Sequence, residues 1–165
     1  MQGKIQVSGF SVFLEDVPNI IRKVNSLTDN SGVVQLLNAD GIAGEEHIRQ
    51  AACQAIKAFK RHDNIANDLG LEICVRASAQ RQISRALEML GLKKGHNNIC
   101  AVLIDCDDRI FHELENYLGK MNNEVLEPDE SHLKNLYSLS NLEIDSSGGL
   151  TRAMIERTSL LVIET

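Results

Sequence analysis

VVQLLNADGIAGEEHIRQAACQAIKAFKRH, residues 33–62, is the stretch from which the fold is read. Val33 to Leu37 is a short apolar run closed by Asn38-Ala39-Asp40-Gly41, and a run bounded by turn residues in this way reads as a buried strand. From about Gly44 to His62 the period changes, with Ile48, Ala51, Ala52, Ala55, Ile56 and Phe59 recurring at helical spacing. Glu45 and Glu46 lie in the first turn of this helix and Lys57, Lys60, Arg61 and His62 in its last, so each charge set opposes the nearby end of the helix dipole.

Upstream, Lys4 to Leu14 is β-rich and reads as an opening strand. Asp16 can cap a helix whose first turn suits Pro18 and whose apolar stripe is Val17, Ile20, Ile21, Val24 and Leu27; Thr28 to Gly32 is a turn cluster. Downstream of the loop Asp63–Asn67, Leu71–Arg76 reads as a strand, and Ser78 as the N-cap of a helix that carries Ile83, Ala86, Leu87 and Leu90 and stops at Gly91. After the polar turn Lys93–Asn98, Ile99–Asp105 is a further apolar strand. Asp107 or Asp108 then caps a helix with Ile110, Leu114 and Leu118, ending at Gly119. From Asn122 a polar connector with Pro128 leads to a short helix at Ser131–Leu139, a flexible stretch at Ser140–Gly149 and a last helix at Leu150–Ile163. Strands alternating with helices predict an α/β (mixed α+β) fold, a single layered domain over residues 1–165. Its central mixed sheet, with some parallel pairs, is flanked by helices and followed by a helical C-terminal part. There are no internal repeats.

Composition bounds the function. The 165 residues suit one domain, and 43% hydrophobic with 24% charged residues is an ordinary globular balance. Seventeen basic against twenty-three acidic side chains give a net charge of −6. A protein that coats long nucleic acid electrostatically is normally basic, so only a local basic site is compatible with this balance. No apolar run approaches the ~20 residues that span a bilayer. The first twenty residues carry Lys4, Glu15 and Asp16 and lack a signal-peptide core, so the expected location is the cytoplasm. Cys53, Cys74, Cys100 and Cys106 form no CxxC pair and read as structural thiols of a reducing compartment. With four Phe, two Tyr and no Trp, the core must be aliphatic.

The familiar enzyme signatures are missing: there is no GxxxxGKS/T, GxGxxG or GxSxG. Glu45-Glu46-His47 resembles an acid–base cluster, yet its charges sit where any helix start welcomes them. The five histidines show no metal-ligand spacing with the cysteines, so no zinc site is expected. Asp105, Asp107 and Asp108 follow a strand end, where magnesium ligands can stand, but helix capping accounts equally well for the latter two. Arg76-Ala77-Ser78-Ala79-Gln80-Arg81-Gln82-Ile83-Ser84-Arg85 places three arginines within ten residues of an acidic chain. Arg81 and Arg85 share a helix face, and Arg76 at the strand end can converge with them near the helix start, where free N–H groups and forked guanidinium groups suit phosphate. A solvated basic face paired with Glu72, Glu88 or Asp68 is the other reading.

The strings LLNADGIAGEEHIRQAACQAIKAF (36–59), NIAND (64–68) and LEICVRASAQRQISRALEMLGLKKG (71–95) resemble the TPRKB family, the PRPK-binding regulatory subunit of the KEOPS complex. The archaeal pattern runs LNAD, then H, A and A, then IAN, then E-I/L-x-V-R-A-S-G-Q-R-Q-I. The resemblance is close over residues 34–105 and looser towards the C-terminal helix, and the connector at 120–149 carries little of it. Ala79 stands where the family has glycine, which bears on the backbone of that turn because glycine accepts φ > 0 and alanine resists it.

The resemblance implies a non-enzymatic subunit without a cofactor. KEOPS places threonylcarbamoyl on the adenosine next to the anticodon of tRNAs that read codons starting with adenine. The transfer belongs to a separate metal-dependent catalytic subunit, bridged to this one by a small atypical kinase-ATPase. Family members bind the kinase N-lobe, support its ATPase activity and help recruit tRNA by its 3′ CCA end. On this basis Arg76, Ser78, Gln80, Arg81, Gln82 and Arg85 are expected to border the tRNA-tail site, with Asn38, His47, Asn64 and Asn67 as companions. The kinase is expected to dock on the last helix through Leu150, Met154, Arg157 and Leu161, spaced 4, 3 and 4 apart on one face. Ile155, Leu160, Val162 and Ile163 add apolar residues on further faces, although a stripe of this kind also suits packing on the chain's own sheet. Two other classes stay open: a nucleotide- or magnesium-dependent α/β enzyme built near Asn38 and Asp105, and a structural kinase adaptor without RNA contact.

Overall fold

In the computed structural model, which describes residues 3–28 and 32–163, Ile5–Leu14 (β1), Val33–Asn38 (β2) and Gly95–Ile104 (β3) form a sheet in the order β1-β3-β2. Both pairings are antiparallel, with Ile104 opposite Ile5 on one side and Val33 on the other. The parallel pairs expected from strict alternation are thereby corrected. The mixed α/β class holds, since helices cover both faces of this sheet. β3 is central, and Ile99–Ile104 is a continuous buried apolar run because a middle strand is covered on both faces.

The strand expected at Leu71–Arg76 is the middle of a helix, Leu69–Ser78 (α3), which follows Glu45–Arg61 (α2). Every residue of α3 except Leu71 is buried, so it has no polar face to print a helical period on the sequence. A short apolar run of this type cannot be told from a strand by periodicity. Asp68 starts α3 by accepting the Leu71 N–H at 2.8 Å. The helix closes on Ala79 at φ 56° and ψ 36°, where the N–H groups of Ala79 and Gln80 return to the carbonyls of Arg76 and Val75. Ser78 is therefore no N-cap: it is buried inside α3, its hydroxyl donating to the Val75 carbonyl. The next helix, Ile83–Leu90 (α4), has Gln82 at its N-cap and stops at Gly91 as expected.

The remaining helices are Val17–Asn25 (α1), Asp108–Leu118 (α5), Glu130–Tyr137 (α6), Asn141–Ser147 (α7) and Leu150–Ile163 (α8). Asp16 and Asp107 cap α1 and α5, as their positions suggest. The stretch read as flexible at Ser140–Gly149 holds α7, whose Glu143 N–H is taken by the Ser140 hydroxyl. Part of the Thr28–Gly32 turn, residues 29–31, and the side chains of Val162 and Ile163 lie outside the described residues. One core sets Leu37, Cys100 and Val102 against Ile48, Ile73, Leu90 and Met154; the other sets Phe10, Ile99 and Leu103 against Val24, Ile110 and Leu114. Cys74 and Cys100 are buried in the first, and burial pushes both thiols up to about 12.

Alanine in the left-handed region crowds its Cβ against the following carbonyl, at a cost of roughly 1–2 kcal/mol. Ala79→Gly removes that cost and returns part of it as unfolded-chain entropy. The expected outcome is a gain of about 0.5–1 kcal/mol in urea denaturation. An equal or lower stability would show that the turn is not strained.

Candidate functional site

The turn between α3 and α4 presents the basic segment to solvent. Arg81, Gln82 and Arg85 are exposed and Gln80 is half-buried. Arg85 donates to Glu88 at 3.1 Å, a largely exposed pair of small energetic weight. Arg81 has no ion-pair partner among the described residues and is the free guanidinium of the group. The first-turn N–H groups of α4 stand beside it without a side-chain cap from Gln82. This surface can accept an anion or the hydrogen-bonding edges of a base.

The third arginine is elsewhere. Arg76 is buried, its Nε donating to Glu72 at 2.7 Å. The other oxygen of Glu72 accepts the N–H groups of Ile65 and Ala66 at 2.8 and 2.7 Å. The Glu72/Arg76 spacing of four residues makes a pair only on a helix, so a strand reading of this segment hides it. Arg76 thus pins the NIAND loop to α3, and its guanidinium is buried on Glu72 rather than exposed with Arg81 and Arg85.

His47 is buried too. Its Nδ1 accepts the Ala43 N–H at 2.9 Å, which leaves Nε2 to donate to the Ala77 carbonyl at 3.0 Å. The ring joins the start of α2 to the end of α3, and desolvation lowers its pKa from 6.5 to about 4, against the opposing effect of the Ala77 carbonyl. It is a neutral structural link, as Ser78 is a structural hydroxyl.

The other expected companions scatter. Asn64 bonds the Ala66 carbonyl and Asn67 is exposed, both before the N-terminal end of α3. The ten residues of α3 separate them from the basic turn by about 15 Å of helix rise. Asn38 accepts the Asp40 N–H, and Asp40 in turn accepts the Asn98 amide at 3.1 Å. The LNADG motif is a packing knot: the Gly41 carbonyl accepts the Tyr137 hydroxyl at 2.7 Å, and a Cβ on Gly41 would lie 2.4 Å from Leu90 Cδ2. Asp105 takes the N–H groups of Gly3 and Lys4, while Asp107 caps α5, so these carboxylates close the end of the sheet.

The stripe on α8 faces inward, contrary to its expected docking role. Met154 and Leu161 are buried, and Leu150 packs on the same core. Arg157 forks onto Glu143 at 2.7 and 2.6 Å and donates to the Tyr137 carbonyl at 2.6 Å, tying α6 and α7 to α8. The guanidinium holds the Glu143 carboxyl below its usual range. Among the described residues, the large apolar side chains left exposed here are Leu142 at 77% and Leu160 at 49%, with Ile155 half-buried. The sequence around Leu142 shows no apolar period, and an isolated leucine just after Ser140, the N-cap of α7, is the trace it leaves.

The family described as kinase binding protein CGI-121 matches residues 14–161. The regulatory protein Cgi121 of Methanocaldococcus jannaschii is 31% identical over 144 residues, spanning 86% of this chain and 92% of that protein.

Removing one partner of a buried ion pair strands the other, at about 3–5 kcal/mol. Arg76→Met is expected to lose that much in chemical denaturation and Arg81→Met less than ~0.5 kcal/mol; equal losses would contradict the division between them. For His47 the unfolded chain binds a proton below pH 6.5, while the folded chain binds none until about pH 4. Stability therefore falls as pH drops through that window, by up to ~1.4 kcal/mol per pH unit. His47→Gln should flatten the curve there by this amount, and an unchanged slope would mean that the ring is not held neutral.

Proposed function

The chain belongs to the kinase-binding CGI-121 family, of archaeal type, a regulatory rather than an enzymatic family, and from that premise we propose that it is the tRNA-recruiting subunit of a KEOPS complex. In this reading it is a single-domain cytoplasmic protein. It binds the small PRPK-type kinase/ATPase, stimulates it, and through it serves the catalytic threonylcarbamoyltransferase subunit.

The observation that carries the RNA part is the exposed turn Gln80-Arg81-Gln82 with Arg85, set on a chain of net charge −6. Gripping one short single-stranded tail such as the tRNA 3′ CCA end needs a few donors in one place rather than a basic coat. The Arg81 guanidinium can hold a phosphate bidentately, Arg85 can trade Glu88 for a second, and the amides of Gln80 and Gln82 can meet base edges. For the kinase, the exposed apolar side chains Leu142 and Leu160 take over the role first assigned to Leu150, Met154, Arg157 and Leu161, because apolar anchors act where a partner can desolvate them.

Arg81→Glu with Arg85→Glu is expected to weaken binding of full-length tRNA at least tenfold and to lower the salt slope by about 1–2, with kinase binding intact. Normal tRNA binding by this variant would favour an adaptor without RNA contact. Leu142→Glu with Leu160→Glu should abolish co-purification with the kinase at an unchanged melting temperature. Retained co-purification would move the dock off α7 and α8.

A further inference from the structure

The hydrogen-bond pattern of the sheet fixes which backbone groups of β2 are free. The N–H of Gly9 on β1 donates to the Asn123 side chain at 2.8 Å, and its carbonyl accepts the Asn122 N–H at 2.7 Å, so Gly9 turns away from β3. Residues alternate in direction along a strand, so Cys100, opposite Gly9, bonds to the other side, onto Leu37 of β2. Val33 and Gln35 share the parity of Leu37, and Val34 and Leu36 therefore face the outer edge. Gln35 Nε2 covers the Leu36 carbonyl at 3.3 Å. The N–H and carbonyl of Val34 and the N–H of Leu36 have no partner among the described residues. The opposite edge is treated differently: Asn122 and Asn123 cover Gly9, and Arg49 donates to the Ile5 carbonyl.

These free groups are not on an open surface. Val34 and Leu36 are only 6% and 8% exposed, at the floor of a groove between α1 and α4. Ile21 and Leu87 stand on its walls, 41% and 43% exposed, and a cavity of about 480 Å³ continues along β2 towards Asp68. A sheet edge of this kind is a template for pairing, and a ligand that offers the matching row of donors and acceptors satisfies these groups directly. That row, two residues apart or about 6.6–6.8 Å, is what another strand carries. Charge selects further: Asp68 is the one charged side chain lining the groove among the described residues. A single carboxylate with no cation disfavours a polyanion and fits a basic residue.

We propose that the β2 edge groove docks one extended polypeptide segment of a protein partner, apolar at alternating positions, with a Lys or Arg beside Asp68. The segment adds a fourth strand, and its alternating side chains enter the spaces beside Ile21 and Leu87. The site is additional to the RNA and kinase surfaces proposed above.

The test is selection from displayed random twelve-residue peptides on the full chain, with Leu87→Glu protein as the counter-selecting bait. Enriched peptides, synthesised and titrated by fluorescence anisotropy, should alternate apolar residues and carry Lys or Arg towards one end. Their binding should slow amide hydrogen exchange at Val34 and Leu36 at least tenfold. Ile21→Glu should weaken them at least tenfold. Asp68→Asn keeps the cap of α3 but removes the charge, and should erase the advantage of a Lys-bearing peptide over its Gln version. Should Leu87→Glu fail to fold, Ile21→Glu serves as bait and the exchange measurement on the unaltered protein decides. The proposal is overturned if no peptide is enriched, if bound peptides leave the Val34 and Leu36 amides unprotected, or if an RNA oligonucleotide ending in CCA protects those amides and displaces the peptides.

Discussion

The carboxylate of Glu72 is the fixed point of the molecule. It is fully buried, and its oxygens are satisfied there by two backbone N–H groups of the Ile65-Ala66 loop and by the guanidinium of Arg76. That arrangement lets α3 run through the interior with apolar residues on all sides. It also fixes the angle at which the chain turns from α2 into α3. His47 secures the other end of the same helix through the Ala77 carbonyl. With both ends held, the left-handed residue Ala79 aims the following turn outward, and Gln80, Arg81 and Gln82 leave the protein at a defined place.

What the sequence made legible, and what it hid, follows from the same physics. α2 is half-exposed, and its charges and apolar stripe announce it; the carboxylates of Asp16 and Asp107 mark helix starts, and Gly91 and Gly119 mark helix ends. α3 hides because burial on every side erases the helical period, and Leu71–Arg76 then passes for a strand. A strand at that place would expose Arg76, leave Ser78 to cap the next helix, and add the strand behind the parallel pairs. On α8 the stripe Leu150, Met154, Arg157 and Leu161 is real, yet a stripe reports that something covers it and not what does. Here the chain's own core covers Leu150, Met154 and Leu161, and the Tyr137 carbonyl and Glu143 of α6 and α7 hold Arg157.

Motif and site separate in an instructive way. LNAD, the buried histidine and IAN hold the fold: Asn38 and Gly41 organise a turn, His47 bridges two helices, and Ala66 feeds Glu72. Of the RAS-x-QRQI string, the first half completes a buried helix, and in the second half Arg81 and Gln82 face water. A protein of net charge −6 thereby keeps a small cationic outlet, which matches the proposed grip on a single short RNA end.

That proposal places the RNA on the α3–α4 turn and nowhere along the opposite end of α3, which makes it open to a direct observation. Amide NMR shifts of the isotopically labelled chain, titrated with a short RNA ending in CCA, report the contact residue by residue. The account requires perturbations concentrated at Gln80–Arg85, with Asn64 and Asn67 silent. Shifts centred on Asn64–Asn67, or none anywhere at saturating RNA, would contradict it.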